Sequence, residues 1–179
     1  MLLQTSRLHL RPLVDTDQDF YCRLYADPAV MARVGTPLSL EAARGAFVRV
    51  LRQIAAKPPR AHYWVPCECG TQAVIGLIAL VFDRDDRASA EVGVLLLPNA
   101  QRQGYATEAI TVLVDKVFAE LGISRLWTRH APGHVAMTRL MCSLGFTQCV
   151  DLSAAADNPT MARWQLLLGD WQSPPRPFP

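Results

Sequence analysis

Gln101-Arg102-Gln103-Gly104-Tyr105-Ala106 is the stretch on which the reading of this chain turns. An apolar strand, residues 92–97, leads into it and is broken by Pro98-Asn99. A helix over residues 104–121 follows. Its apolar residues Ala106, Ala109, Ile110, Leu113, Val114, Val117, Phe118 and Leu121 are spaced alternately by three and by one. That spacing keeps them on a single helical face. Gly122 stops the helix and leaves Ile123 to fold back on its last turn. A loop between a strand and a helix start exposes backbone N–H groups at the positive end of the helix dipole, which makes it a phosphate cradle.

Two familiar phosphate loops fail on spacing. The dinucleotide fingerprint needs G-x-G-x-x-G, and the nucleoside-triphosphate loop needs G-x-x-x-x-G-K followed by Ser or Thr. Here Gly104 is the one glycine and no Lys-Ser/Thr follows. The pattern present is Q-x-x-G-x-A.

Upstream, residues 8–13 alternate as a first strand. Asp15-Thr16-Asp17 offers caps for a helix carrying Phe20, Leu24 and Tyr25, which Asp27-Pro28 ends or interrupts. Ser39-Leu40-Glu41 starts a second helix, to about residue 56, with Phe47, Val50, Leu51 and Ile54 along one stripe. Residues 62–68 and 73–82 form a hairpin turning at Gly70-Thr71, and residues 89–97 extend it into an antiparallel meander. Downstream come a strand at 126–129, a helix at 135–144 ended by Gly145, and strands at 146–152 and 164–168. The order β-α-α-β-β-β-α-β-α-β-β predicts an α/β (α+β) domain with a mixed sheet of about seven strands and about four helices.

The chain has 179 residues, half of them hydrophobic and 19% charged, which suits one domain over residues 1–172. The proline-rich tail, residues 173–179, cannot pack as helix or central strand. A net charge of +2 gives no argument for a nucleic-acid or membrane-surface partner. No run of about 18 apolar residues spans a membrane. Residues 1–5 lack the build of a signal peptide. The five cysteines are odd in number and scattered, as expected of free thiols in the cytoplasm. Cys67 and Cys69 share a strand face, but a zinc site needs two more ligands nearby, and His9, His62, His130 and His134 form no paired motif. No metal is expected.

At the loop, the chain resembles the GNAT acyltransferases. These carry Gln or Arg, two residues, Gly, one residue, then Gly or Ala, after a strand, and bind acetyl-CoA. Residues 90–98 with 101–109 look like the branch that includes ribosomal-protein N-terminal acetyltransferases, as do residues 5–13, 27–31 and 37–43 and the closing Leu144-Gly145-Phe146. The resemblance covers residues 5–168. It implies a mostly antiparallel central sheet and coenzyme A as the owner of the phosphate. The amides of residues 102–107 would surround the pyrophosphate, with charge from Arg102 and a hydroxyl from Thr107. Gly104 has no Cβ to hold the phosphate off, and Ala106 keeps the helix start open. Gln101, Gln103 and Tyr105 complete the cofactor loop. By position, Leu95, Leu96 and Leu97 would offer backbone to the pantetheine.

Acyl transfer from a thioester needs a neutral amine, stabilisation of an oxyanion, and a proton for the leaving thiolate. Strand amides serve the oxyanion. Glu91 matches a frequent family glutamate and reads either as a base acting through water or as a strand-end carboxylate paired with a surface Arg. Glu108 reads as structural. Where many relatives place Asn, and some Tyr seven residues later, this chain has His134 and Met141, and Met141 cannot donate a proton. His134 reads as a hydrogen-bonding contact to pantetheine or as a solvated helix-start residue. Thr138, on the same helix face as His134, is the candidate acid, with ordered water as the alternative.

An α-amine titrates at about 7.7–8.0 and a lysine at about 10.4, so the acceptor expected without a strong base is an α-amine. Residues 27–38 and 151–163 are expected to line the acceptor cleft, with too few fixed charges to select a polycation. The leading expectation is an N-acetyltransferase acting on a protein or peptide N-terminus. The alternatives are a small amine (amino acid, polyamine or aminoglycoside) as acceptor, or a coenzyme A-binding module without turnover. Monomer and homodimer are both open.

Overall fold

The computed structural model describes residues 2–149 and 161–173. The strands are β1 (Leu3–Gln4), β2 (Leu8–Pro12), β3 (Ala61–Glu68), β4 (Gly76–Phe82), β5 (Ser89–Leu96), β6 (Arg125–His130), β7 (Thr147–Cys149) and β8 (Ala162–Leu167). The helices are α1 (Gln18–Ala26), α2 (Pro28–Met31), α3 (Leu40–Ala55), α4 (Tyr105–Glu120) and α5 (Val135–Ser143). One sheet holds the strands in the order β1-β2-β3-β4-β5-β6-β8-β7. Every neighbouring pair is antiparallel except β5–β6. The mixed, mostly antiparallel α/β fold is as expected. Among the described residues it has eight strands against about seven and five α-helices against about four.

The additions are the two-residue β1 and the four-residue α2. Asp27-Pro28 ends α1 and also starts α2. The Asp27 carboxylate accepts from the Ala29 N–H at 2.7 Å, and Pro28 takes a first-turn position where no N–H is needed. The second hairpin strand begins at Gly76 rather than near residue 73. Gln72 turns with φ 60°, and Val74 makes only an isolated bridge to Cys67. The strand expected over residues 146–152 is described as Thr147–Cys149. Residues 150–160 and the tail from 174 lie outside the described residues.

Both faces of the sheet are covered. One carries Leu8, Leu10, Ile78, Leu80, Val92 and Leu126 against Ile110, Leu113 and Val117 of α4. The other carries Val65, Cys67 and Leu77 against Tyr21 and Leu24 of α1 and Phe47 and Val50 of α3. The period of two along each strand sends alternate side chains into separate cores.

The parallel pair positions the site. β5 meets β6 only where Ser89, Ala90 and Glu91 oppose Arg125, Leu126 and Trp127. Beyond Glu91 the two strands have no shared ladder, and a gap opens between Val92–Leu96 and Thr128–His130. On the other edge of β5, the sheet closes tightly. A Cβ at Gly76 would lie 2.1 Å from the Leu95 carbonyl oxygen, so only glycine fits there.

Candidate active site

The loop after β5 is folded back on itself by its own side chains. Gln101 Nε2 donates to the Leu96 carbonyl at 3.1 Å, and Gln103 Nε2 donates to the Asn99 carbonyl at 2.7 Å. The Ala100 and Gln101 N–H groups close a short turn onto Leu97 and Pro98. The next six amides, residues 102–107, have no protein acceptor among the described residues, and the first bond of α4 runs from Glu108 N–H to Gly104 O. Gly104 holds φ +81° as the cap of this 16-residue helix, and Arg102 holds φ 62°. A positive φ is ordinary for glycine and costly for most other residues. The two positive-φ residues let the chain turn sharply into the helix start and leave these amides free of protein acceptors.

The loop is braced from β2's side of the molecule. Arg7 Nη1 donates to the Gln103 carbonyl at 3.1 Å, and its guanidinium lies 4.6 Å over the Tyr105 ring. Arg7 also pairs with Glu108 at 2.6 Å, and the Thr5 hydroxyl donates to the same carboxylate. Burial pushes the Glu108 carboxyl up, but the hydrogen bonds from Thr5 and Arg7 outweigh it and hold it below the usual range. Glu108 is thus a fastening group. The Tyr105 hydroxyl donates to Glu68 and its ring is buried, so Tyr105 offers the cradle only its amide. Gln103 is likewise turned to Asn99 and does not line the cleft.

The ladder with β4 decides which strand backbone is available. Asp83 N–H donates to Ser89 O, and Leu97 N–H donates to Ile75 O. Bonded pairs recur every second residue, so the backbone of Gly93, Leu95 and Leu97 belongs to β4 and that of Val94 and Leu96 faces the gap. This corrects the expected set. Leu96 turns its backbone to the gap, with its carbonyl taken by Gln101 Nε2, while Leu95 lines the cleft wall. Leu97 packs with the α1–α3 core. Val94 replaces them.

Glu91, Gly93 and Leu95 line the cleft from β5, Thr128, Arg129 and His130 from β6, and His134 and Met137 from α5. Tyr25 and Arg33 close it on the α1–α2 side. Glu91 pairs with Arg129 at 3.2 Å and lines the cleft. Burial pushes its carboxyl above the usual carboxylate range, against the opposing pull of Arg129 and Arg163.

His134 caps α5, with Nδ1 accepting from the Met137 N–H at 3.4 Å, which places its proton on Nε2. Burial, with Arg33 and His130 nearby, pushes its ring below the usual histidine range and keeps it neutral at pH 7. Thr138 does not line the cleft. The cleft and the cavity beside it take the cap His134 with Val135, Ala136, Met137 and Leu140 from α5, and Met141 is sunk in the core. As cap residue, His134 sits just outside the regular helix, so four-residue spacing from it does not mark the cleft face.

His130 was missed in the sequence. It is only 5% exposed and stacks on Trp164 with ring centroids 6.1 Å apart. Its Nδ1 lies 3.0 Å from the Ala131 carbonyl. The available signal was the alternation Leu126, Thr128, His130, which puts all three on one face of β6.

A strand thus splits from its parallel neighbour and is followed by a loop of amides without protein acceptors at a helix start. The acetyltransferase (GNAT) domain family matches residues 7–147. The chain belongs to the GNAT acetyltransferases. As a GNAT enzyme it is similar to the N-acetyltransferase p20 of Bacillus licheniformis, 26% identical over 145 residues that cover 80% of this chain and 81% of that protein. A crystal structure of an acetyltransferase from Agrobacterium tumefaciens shares the fold with a TM-score of 0.78 at 26% identity, covering 93% of this chain and 94% of the other. The spermidine N-acetyltransferase of Vibrio cholerae, solved with CoA and spermine, shares the fold at 20% identity with a TM-score of 0.76 over 93% and 98%.

For this GNAT acetyltransferase the residues present fit coenzyme A. Six amides without a protein acceptor among the described residues and the dipole of α4 suit a pyrophosphate, with Arg102 as the nearby cation. The backbone of Val94 and the Leu96 N–H, turned to the gap, suit the amides of a pantetheine arm, while the Leu96 carbonyl is held by Gln101. The loop and α5 bound one cavity of about 550 Å³, and His134 and Met137 connect it to the cleft that holds Glu91.

Proposed function

We propose that this enzyme transfers acetyl from acetyl-CoA directly to the α-amine of a protein or peptide N-terminus, within the branch that includes ribosomal-protein N-terminal acetyltransferases. Residues 1–172 act as a single acyl-transfer domain in this reading. The observation that carries it is the charge of the cleft. Among the described residues lining it, Glu91 is the one carboxylate, set against Arg33 and Arg129. A polyamine needs several carboxylates to replace its water, and this lining does not provide them. An α-amine is also the acceptor that a weak base can neutralise, since it titrates near neutrality.

In the reaction, the loop amides of residues 102–107 fix the pyrophosphate, and Val94 and Leu96 hold the pantetheine, so the thioester enters the gap beside Glu91. Glu91 removes the ammonium proton through a water molecule, and its raised affinity for protons makes it a better base than an exposed carboxylate. Free strand amides donate to the oxyanion.

The test is an acceptor panel that measures coenzyme A release. Peptides beginning with Ala or Ser should be acetylated, and spermidine and free amino acids should be poor acceptors. A good rate on a small amine with none on peptides would overturn the assignment of acceptor.

A further inference from the structure

The reaction needs a second proton transfer that Glu91 does not serve. When the amine attacks, its nitrogen must lose a proton to become an amide, and the departing sulfur must gain one. Among the described residues, one buried ring nitrogen in the cleft has no hydrogen-bond partner: His130 Nε2.

The tautomer follows from the neighbours. The Ala131 carbonyl can only accept, so His130 Nδ1 carries the hydrogen at 3.0 Å and Nε2 presents a lone pair. Burying an acceptor without a donor is unfavourable, so this nitrogen has an unmet capacity for one donor, which an ordered water or an N–H of a bound substrate supplies. His134 cannot fill the role. Its Nδ1 lone pair is used by the Met137 N–H, and its Nε2 is a donor.

The place is right for the reacting atoms. His130 stands three residues beyond Trp127 on β6, as Val94 stands three beyond Glu91 on β5, and Glu91 pairs with Trp127. The two therefore flank the gap at the same level. His130 lies on the α5 side, with its ring 5.9 Å from that of His134, where the cavity bounded by the loop and α5 joins the cleft. Glu91 lies on the opposite face of the sheet. Stacking on Trp164 holds the ring in one plane.

We propose that His130 carries the second proton: Nε2 takes it from the amine nitrogen and returns it to the sulfur of the departing coenzyme A. This rests on the acetyl-transfer reading above. The amine lone pair forms the C–N bond, and the carbonyl π pair moves to oxygen. The nitrogen then bears a positive charge. Its N–H proton passes to Nε2. The oxyanion pair re-forms C=O and the C–S bond breaks with its electrons on sulfur. The imidazolium then protonates the thiolate, and the products are the amide, the thiol and neutral His130. One histidine thus supplies the base and the acid that Thr138 and Met141 do not.

Three variants test this with acetyl-CoA and the fastest acceptor in the panel, peptide or small amine. His130→Phe keeps the ring stacked on Trp164, and His130→Gln keeps a hydrogen-bonding group. Both should lose about 100-fold or more in kcat, the scale of general acid–base catalysis. Coenzyme A affinity by calorimetry should stay within about twofold, showing that the fold and cradle are intact. In His130→Ala, added imidazole should restore at least about tenfold of the lost rate, which a packing defect would not allow. Either ring or amide variant retaining kcat within about threefold of the parent would overturn the assignment. A parent enzyme that binds coenzyme A yet acetylates no amine would instead remove the acetyl-transfer reading, and the His130 step with it.

Discussion

Replacing Gly104 is the sharpest test of the cradle, because the structure separates two ways in which it can fail. Gly104 has φ +81°, and a Cβ built there meets nothing closer than the flexible end of Arg7, at 3.4 Å. The obstacle to a side chain is therefore torsional. Alanine in this left-handed region costs about 1–2 kcal/mol. If the loop relaxes to negative φ to escape that strain, the Gly104 and Tyr105 amides turn away from the phosphate they are proposed to bind. Each hydrogen bond to a charged phosphate contributes about 1.5–3 kcal/mol, so losing two removes about 3–6 kcal/mol. At about 1.4 kcal/mol per tenfold, coenzyme A should bind at least about 100-fold more weakly. The free enzyme should lose about 2–8 °C in melting temperature. Gly104→Val should behave like Gly104→Ala or worse, while Gly104→Asn should lose less, because asparagine tolerates a left-handed backbone. Isothermal calorimetry with coenzyme A across the three variants decides it. Affinity within twofold of the parent in the valine variant would refute the cradle. Equal losses in all three would show that the side chain blocks the phosphate and that torsion is not the cause.

Glu91→Gln should lower kcat by about 100-fold with coenzyme A affinity unchanged, and an unchanged kcat would remove Glu91 from the chemistry. In the parent, the rate should rise with pH through the Glu91 titration. Its raised pKa places that limb above the ordinary carboxylate range, and the limb should vanish in Glu91→Gln. Arg11→Ala leaves the buried Asp17 carboxylate without the guanidinium that bonds it at 2.7 and 2.8 Å, and should cost about 2 kcal/mol in urea unfolding at pH 7. Burial pushes Asp17 up, but Arg11 and the Val14 N–H pull its pKa below the usual value. A lowered carboxylate stabilises the fold above its unfolded pKa and loses that effect as pH falls through the folded one. The Arg11→Ala deficit should therefore shrink in strong acid, and a deficit constant with pH would refute this account.

The parts of the fold legible in the sequence are those that depend on local spacing. The alternation of three and one fixed the apolar face of α4, and Gly104 and Gly122 marked its two ends, both with positive φ. Ser39 marked the start of α3, where its side chain accepts from the Ala42 N–H at 3.1 Å. What depends on pairing between distant segments was not legible. Nothing local shows that β8 sits between β6 and β7. Nor does a run of three leucines show which backbone groups are turned to the gap. That is a matter of register against Ile75 and Leu77, and a shift of one residue exchanges the two edges. The same holds for the site. Gln101, Arg102 and Gly104 were recognisable because a loop's spacing is local. His130 was not, because its significance comes from Trp164 and from the strand that fails to cover it. Thr138 was misplaced because a wheel drawn from His134 treats a cap as part of the helix.

The three-residue seam between β5 and β6 divides the sheet into a five-stranded half and a three-stranded half. Val94 and Leu96 stand along that seam with their backbone turned outward, as an edge strand waits for a neighbour. A pantetheine arm lying there would act as a guest strand, and the sheet would become continuous only while the substrate is present. In the proposed reaction the substrate is then also a piece of the enzyme's framework. Product release, in that picture, is the unzipping of one β-ladder from the middle of the protein.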